Sequence, residues 1–171
     1  VVSGLGESVE ALVASGAELL TGGHPVEGDG FRFQNTLLRI GGADFLRQPE
    51  ALQREAFGNA GLVIEADGED ELIAISRVFE GNLTGCIYSG SEGADEALYA
   101  PIARNLRRQV GRLLNDKMPT GVAVSSAMNH GGPFPATGHP GFTAVGIPGS
   151  IRRFAALECY DNVREERLPV E

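Results

Sequence analysis

Lysine is all but missing from this sequence: Lys117 is the only one. With 14 Lys and Arg against 23 Asp and Glu, the formal net charge is -9 at pH 7. That balance argues against nucleic acid as the main partner, because phosphate binding needs clustered cations. The one basic cluster, Arg104, Arg107, Arg108 and Arg112, falls at the end of a predicted helix, where cations complement the macrodipole. No apolar run approaches the ~20 residues that span a bilayer, and no basic stretch followed by a short apolar one marks a signal peptide. Cysteine is scarce too. Cys86 and Cys159 lie far apart and form no C-x-x-C pair, so neither a disulfide framework nor a zinc ribbon is supported. Reduced thiols in a cytoplasmic protein are the simple expectation.

The common signatures of chemistry are missing as well. There is no G-x-G-x-x-G and no G-x-x-x-x-G-K-[ST], so no phosphate cradle is visible. There is no H-E-x-x-H, no EF-hand loop and no Cys/His array, and no metal site is expected. His24, His130 and His139 share no helix face. The acidic run Asp67 to Glu71 lacks the ligand order of a calcium loop and reads as a helix start, where acids suit the dipole. No G-x-S-x-G elbow exists. Cys86 sits in an apolar strand and reads as a small buried hydrophobe.

What is present is an ordinary globular composition. The 171 residues are 42% hydrophobic and 22% charged, enough for one domain with a core. The chain opens at Val1 with mid-protein sequence, so a fragment of a longer protein is expected. Residues 7–15 carry Val9, Leu12 and Val13 at helical spacing, and Gly16 stops them. AELL (17–20) and NTLLRI (35–40) read as strands around a turn-rich loop, and a helical turn is expected near Pro49.

From residue 61 the pattern alternates. Strands are predicted at 61–66, 82–88 and 111–115. Helices are predicted at 69–79, burying Leu72, Ile73, Ala74, Ile75 and Val78, and at 92–109, bent at Pro101. Apolar strands alternating with helices imply parallel pairing and an α/β layered domain. Past Asn115 glycine and proline dominate, as in loops that follow the carboxyl ends of parallel strands, where open sheets bind ligands. A short helix is expected at 151–154 and a closing strand at 157–160.

One stretch in that region, MNHGGPFPATG (128–138), holds three glycines and two prolines in eleven residues. Together with Glu55-Ala56-Phe57-Gly58, Asn115, Pro119-Thr120-Gly121-Val122 and Ile151-Arg152-Arg153-Phe154, it resembles the C-terminal third of the aldehyde dehydrogenase superfamily. The order of elements matches over nearly the whole chain. The N-x-x-x-P-T-G-V…H-G-G-P-[FY]-P-A-T pattern is similar to the branch that oxidises α-ketoglutaric semialdehyde (2,5-dioxopentanoate) to 2-oxoglutarate.

The resemblance implies a three-layer α/β/α parallel sheet, with a partial catalytic domain at 1–149 and a short helix and oligomerisation strand at 150–171. It implies NAD or NADP as cofactor, a small aldehyde as substrate, and a homo-oligomeric parent that supplies the cofactor domain. The family's cysteine nucleophile, glutamate base and oxyanion asparagine all precede the E-x-F-G element, so none is expected here, and Cys86 is not the nucleophile. Carried over are Glu55, to accept hydrogen bonds from both hydroxyls of the nicotinamide ribose, and Phe57, to pack against the nicotinamide region. His130 and Phe134 are candidates for lining the aldehyde entrance, with a hydrogen-bonded structural role for His130 left open. Pro133 and Pro135 stiffen that loop, Gly131 and Gly132 permit close backbone approach, and Asn115, Thr120 and Thr137 are expected to serve turns.

Two departures stand out. Asn59 replaces the family's usual proline, and Asp116-Lys117-Met118 replaces a more aromatic or glycine-containing turn. Two alternatives remain open: an acyl-phosphate or acyl-CoA-linked reductase of the same fold, or a binding or assembly module without chemistry.

Overall fold

A computed structural model describes residues 2–119, 125–126, 128, 130–139, 151, 155 and 159–169. The chain opens with α1 (Val2–Ala14), which buries Leu5, Ser8, Val9 and Leu12 on one face. The helix starts five residues before the predicted one. Gly4 and Gly6 weaken the local signal there, but Leu5 continues the apolar stripe and is only 4% exposed. Gly16, at φ 97°, ends the helix as expected. The Ala17 N–H donates to the Leu12 carbonyl at 3.1 Å and the Gly16 N–H to that of Val13 at 2.9 Å. This is a left-handed glycine cap, closed by contact between two buried apolar residues.

Strand β1 (Glu18–Thr21) runs antiparallel to β2 (Thr36–Gly41), which runs parallel to β3 (Ala60–Glu65). Alternation along β2 sends Thr36, Leu38 and Ile40 inward. Leu38 meets α1, α2 (Gly42–Arg47) and α3 (Pro49–Leu52) in a core that also holds Phe45, Leu52 and Ile75. Phe45 and Phe79 pack with ring centroids 6.0 Å apart, a favourable tilted pair.

Helix α4 (Glu69–Val78) leads to β4 (Asn82–Ile87), and α5 (Glu96–Gln109) leads to β5 (Val110–Asn115). β4 and β5 are parallel, as predicted. Strands β3 and β4, which α4 joins, do not pair: the strands form one sheet of order β1-β2-β3 and another of β4-β5. The mixed α/β character and the parallel pairs agree with the sequence reading. The antiparallel β1 and the split between β3 and β4 were not legible in it.

Other boundaries moved for local reasons. α5 begins at Glu96 rather than 92, because Gly93 takes φ 77° and the Gly90 N–H is held by the Asp95 carboxylate at 2.6 Å. It then runs through Pro101. On α4 only Ile75 and Ser76 are buried, whereas the predicted Leu72 and Val78 are 38% and 36% exposed. Ser76 is inside because it accepts from Asn105 Nδ2 on α5 at 2.9 Å while donating to the Ile73 carbonyl at 2.7 Å.

Cys86 is half-buried rather than enclosed, and its Sγ donates to the Lys117 carbonyl at 2.8 Å. Of the short helix predicted at 151–154, only Ile151 lies among the described residues, and it is helical. Residues 157 and 158 of the closing strand lie outside them, and Cys159 and Tyr160 have neither helical nor strand structure. Among the described residues no helix is long and apolar enough to cross a membrane.

Candidate functional site

The gap between the two sheets is a cleft of about 1300 Å³. Gly61, Leu62 and Ile64 of β3 line one side, and Leu83, Thr84 and Cys86 of β4 the other. Two loops also line it. One is the corner between α3 and β3, through Glu55 and Phe57. The other is the glycine–proline loop, through Pro135 and Ala136.

The corner is built from local pieces. Pro49 starts α3 at a position where its missing N–H costs nothing, and the Gln53 N–H closes the turn onto the Pro49 carbonyl at 3.0 Å. A side chain on Gly58 would meet the Leu5 side chain of α1 at 2.6 Å, so Leu5 would have to shift to admit one. Asn59 turns its departure from proline to use: its Nδ2 donates to the Phe33 carbonyl at 3.0 Å and to Asn35 Oδ1 at 2.9 Å. Proline has no such donor. Asn59 thus anchors the corner to the β1–β2 connection, a role that needed the tertiary contact to be seen.

Glu55 is exposed and, among the described residues, holds no hydrogen bond or ion pair. Both carboxylate oxygens are therefore open to a donor-rich ligand. Phe57 is 73% exposed. It lies between the large cleft and a second hollow of about 720 Å³, which Leu5, Phe31, Phe33 and Asn59 help line.

The glycine–proline loop does not stay at the carboxyl ends of β4 and β5. By residue 131 it is at their amino ends, so the sequence placement is corrected. Backbone crowding fixes it there. A side chain on Gly132 would run into the Asn82 carbonyl, one on Gly111 into the Gly131 carbonyl, and one on Gly81 into the Pro133 and Phe134 carbonyls. Close approach was expected of Gly131 and Gly132; the partners are the strand starts. Thr137 Oγ1 donates to the Gly132 carbonyl at 2.6 Å and the Ala136 N–H to that of Pro133 at 2.9 Å, the turn role expected of Thr137. The Phe134–Pro135 peptide is cis. Asn115 accepts from the Tyr99 hydroxyl at 3.0 Å. Thr120, Arg152 and Arg153 lie outside the described residues.

The structure therefore brings Glu55, Phe57 and the 135–136 end of the loop to one cleft. Phe134 is 81% exposed beside it, and His130 is exposed; neither lines the cleft.

This geometry has counterparts. No family model matches the chain. It is 38% identical over 133 residues to alpha-ketoglutaric semialdehyde dehydrogenase 2 of Azospirillum brasilense, covering 78% of this chain and 25% of that protein. It is 41% identical over 118 residues to alpha-ketoglutaric semialdehyde dehydrogenase of Acinetobacter baylyi, covering 69% and 22%. This chain is a relative of the aldehyde dehydrogenases. It spans about a quarter of the length of these curated dehydrogenases.

The fold agrees with the aldehyde dehydrogenase relationship. A 1-pyrroline-5-carboxylate dehydrogenase from Thermus, solved with bound NAD, matches 90% of this chain with 27% of its own at TM-score 0.64 and 22% identity. Lactaldehyde dehydrogenase from Escherichia coli matches 77% with 25% of its own at TM-score 0.57 and 23% identity.

Proposed function

We propose that this chain forms the C-terminal catalytic-domain portion of an NAD(P)-dependent aldehyde dehydrogenase that oxidises α-ketoglutaric semialdehyde to 2-oxoglutarate. The observation that carries the reading is the 38% and 41% identity to two dehydrogenases named for that aldehyde. Glu55 supports it: an exposed carboxylate with both oxygens open, on a cleft, suits a ligand that presents two adjacent hydroxyls. A bound nicotinamide dinucleotide would supply the hydride acceptor. Phe57, exposed on the same cleft, would restrict the ring's position, and the loop at 131–136, with His130 and Phe134, would border the aldehyde entrance.

In this reading the nucleophile, the base and the cofactor domain come from the rest of a longer, homo-oligomeric, cytoplasmic parent, with residues 150–171 serving assembly. The 171-residue chain alone turns over no aldehyde. The test is aldehyde-dependent NAD(P)H formation by the full-length protein and by residues 1–171. Activity in the full-length protein alone, with Glu55→Gln raising the cofactor KM roughly tenfold, is the expected result. Turnover by the 171-residue chain would refute the division of labour, and an unchanged cofactor KM would refute the role of Glu55.

A further inference from the structure

Gln53 sits between the two loops of the cleft, and its side chain joins structures that sequence keeps apart. Its Nε2 donates to the Val78 carbonyl at 3.0 Å and to the Pro49 carbonyl at 3.1 Å. Its Oε1 accepts from the Glu80 N–H at 2.7 Å. Val78 ends α4, so its carbonyl has no donor within the helix. The Glu80 N–H lies in the link between α4 and β4. One amide thus serves an acceptor and a donor two residues apart. A carboxylate would offer only acceptors and an ammonium only donors.

The next residue along is Gly81, which packs without room for a side chain against the Pro133 and Phe134 carbonyls. In the other direction, Glu55 follows Gln53 by two residues. A short physical path therefore runs from the Glu55–Phe57 corner through Gln53, Glu80 and Gly81 to the glycine–proline loop. Gln53, Glu55, Phe57, Glu80, Gly81 and Pro135 all line the same cleft.

We propose that Gln53 is a positioning residue that couples the Glu55–Phe57 corner to the loop at 131–136, so that ordering one orders the other. In the enzyme this inference rests on the dehydrogenase reading above, because it makes binding at the cofactor corner and at the aldehyde entrance mutually dependent. Helix α3 is one turn long and exposes Glu50 and Ala51. Leu52 seats α3 in the core, and the Gln53 amide ties the corner to the link between α4 and β4. Coupling between two sites needs such a shared element, and linkage makes it reciprocal.

Amide exchange in the 171-residue chain tests the coupling without any assay of activity. Gln53→Leu should speed exchange of both the Glu80 and the Ala136 N–H roughly five- to tenfold, the loss expected when a hydrogen-bonded tie is cut. Gln48→Leu is the control, since Gln48 Nε2 ties the chain to the Ser15 carbonyl at 2.5 Å, away from the cleft. It should leave Ala136 unchanged. Wild-type protection of Ala136 in the Gln53 variant would overturn the proposal. If Gln53→Leu does not fold, Gln53→Glu is read the same way, because it keeps the shape and sets an acceptor against two carbonyls.

In the full-length enzyme Gln53→Glu should raise KM for both NAD(P) and aldehyde while kcat stays within about twofold. Glu55→Gln should raise KM for NAD(P) alone. A rise in one KM only for Gln53→Glu would also overturn the coupling. An unchanged cofactor KM in Glu55→Gln would instead remove the role given to Glu55 and leave the exchange result to judge the tie.

Discussion

The two sheets of this chain are built to different standards of burial. The β1-β2-β3 sheet with α1, α2 and α3 contains nearly all of the buried apolar side chains, and Leu38 and Phe45 are fully enclosed. Around β4 and β5, Val110 is the one buried apolar residue among those described, and α5 has no buried residue at all. Polar ties stand in for packing there. Asn105 bonds to Ser76, Gln109 Nε2 donates to the Arg77 carbonyl at 2.8 Å, and Gln53 holds Glu80. Stability follows burial, so the first half should carry the cooperative core while the second opens more readily. The candidate site lies along the seam between them, where a small local rearrangement costs least.

That contrast can be broken by paired truncations. Phe45→Ala should cost about 3–5 kcal/mol in a urea melt, from lost transfer energy and the cavity left behind. Leu106→Ala, on half-buried α5, should cost less than half of that. Equal costs would mean that the two halves share one core.

Next in size is Gly81→Ala. It forces a methyl group against two carbonyls and should cost about 1–3 kcal/mol while releasing the 131–136 loop. NMR shifts at Gly132 and Ala136 would report the release; an unmoved loop would show that the crowding is relieved elsewhere. Asn105→Ala should follow at about 1 kcal/mol, since Ser76 keeps its bond to Ile73.

The smallest effect sharpens the comparison through pH. Partial desolvation, then nearby Cys86 and Asp116, raise the Tyr88 phenol above its usual 10.0. A raised acid favours the protonated form in the folded state. Its contribution is therefore complete below the ordinary tyrosine pKa and fades as pH climbs through the raised value. Phenolate absorbance should show a late step that Tyr88→Phe removes.

Much of the fold was legible because it is written at short range. β2 alternates, α1 ends at a glycine and α4 opens on acids, and each element falls within a few residues of its prediction. The exceptions have one source. Leu72 and Val78 fit the helical stripe of α4, yet what covers α4 is α2 on one side and α5 on the other. Gly42 comes so close that a side chain would meet Ile75 at 2.9 Å, which no stripe could foretell. The candidate site divides the same way. Glu55 and Phe57 were legible as a motif. Asn59 looked like a blemish in it until its bonds to Phe33 and Asn35 were seen.

By itself, then, the sequence determined the order of helices and strands apart from α2, the acidic balance and the motifs shared with aldehyde dehydrogenases. All of these depend on neighbours within a few residues or on residue identity alone. Tertiary structure decided the rest: the split between β3 and β4, the return of the glycine–proline loop to the amino ends of β4 and β5, and the tie through Gln53. Those outcomes depend on groups about 20 or more residues apart meeting at hydrogen-bond or van der Waals distance. Pairings that distant are chosen by packing and by the need to satisfy backbone groups, and no local period encodes them.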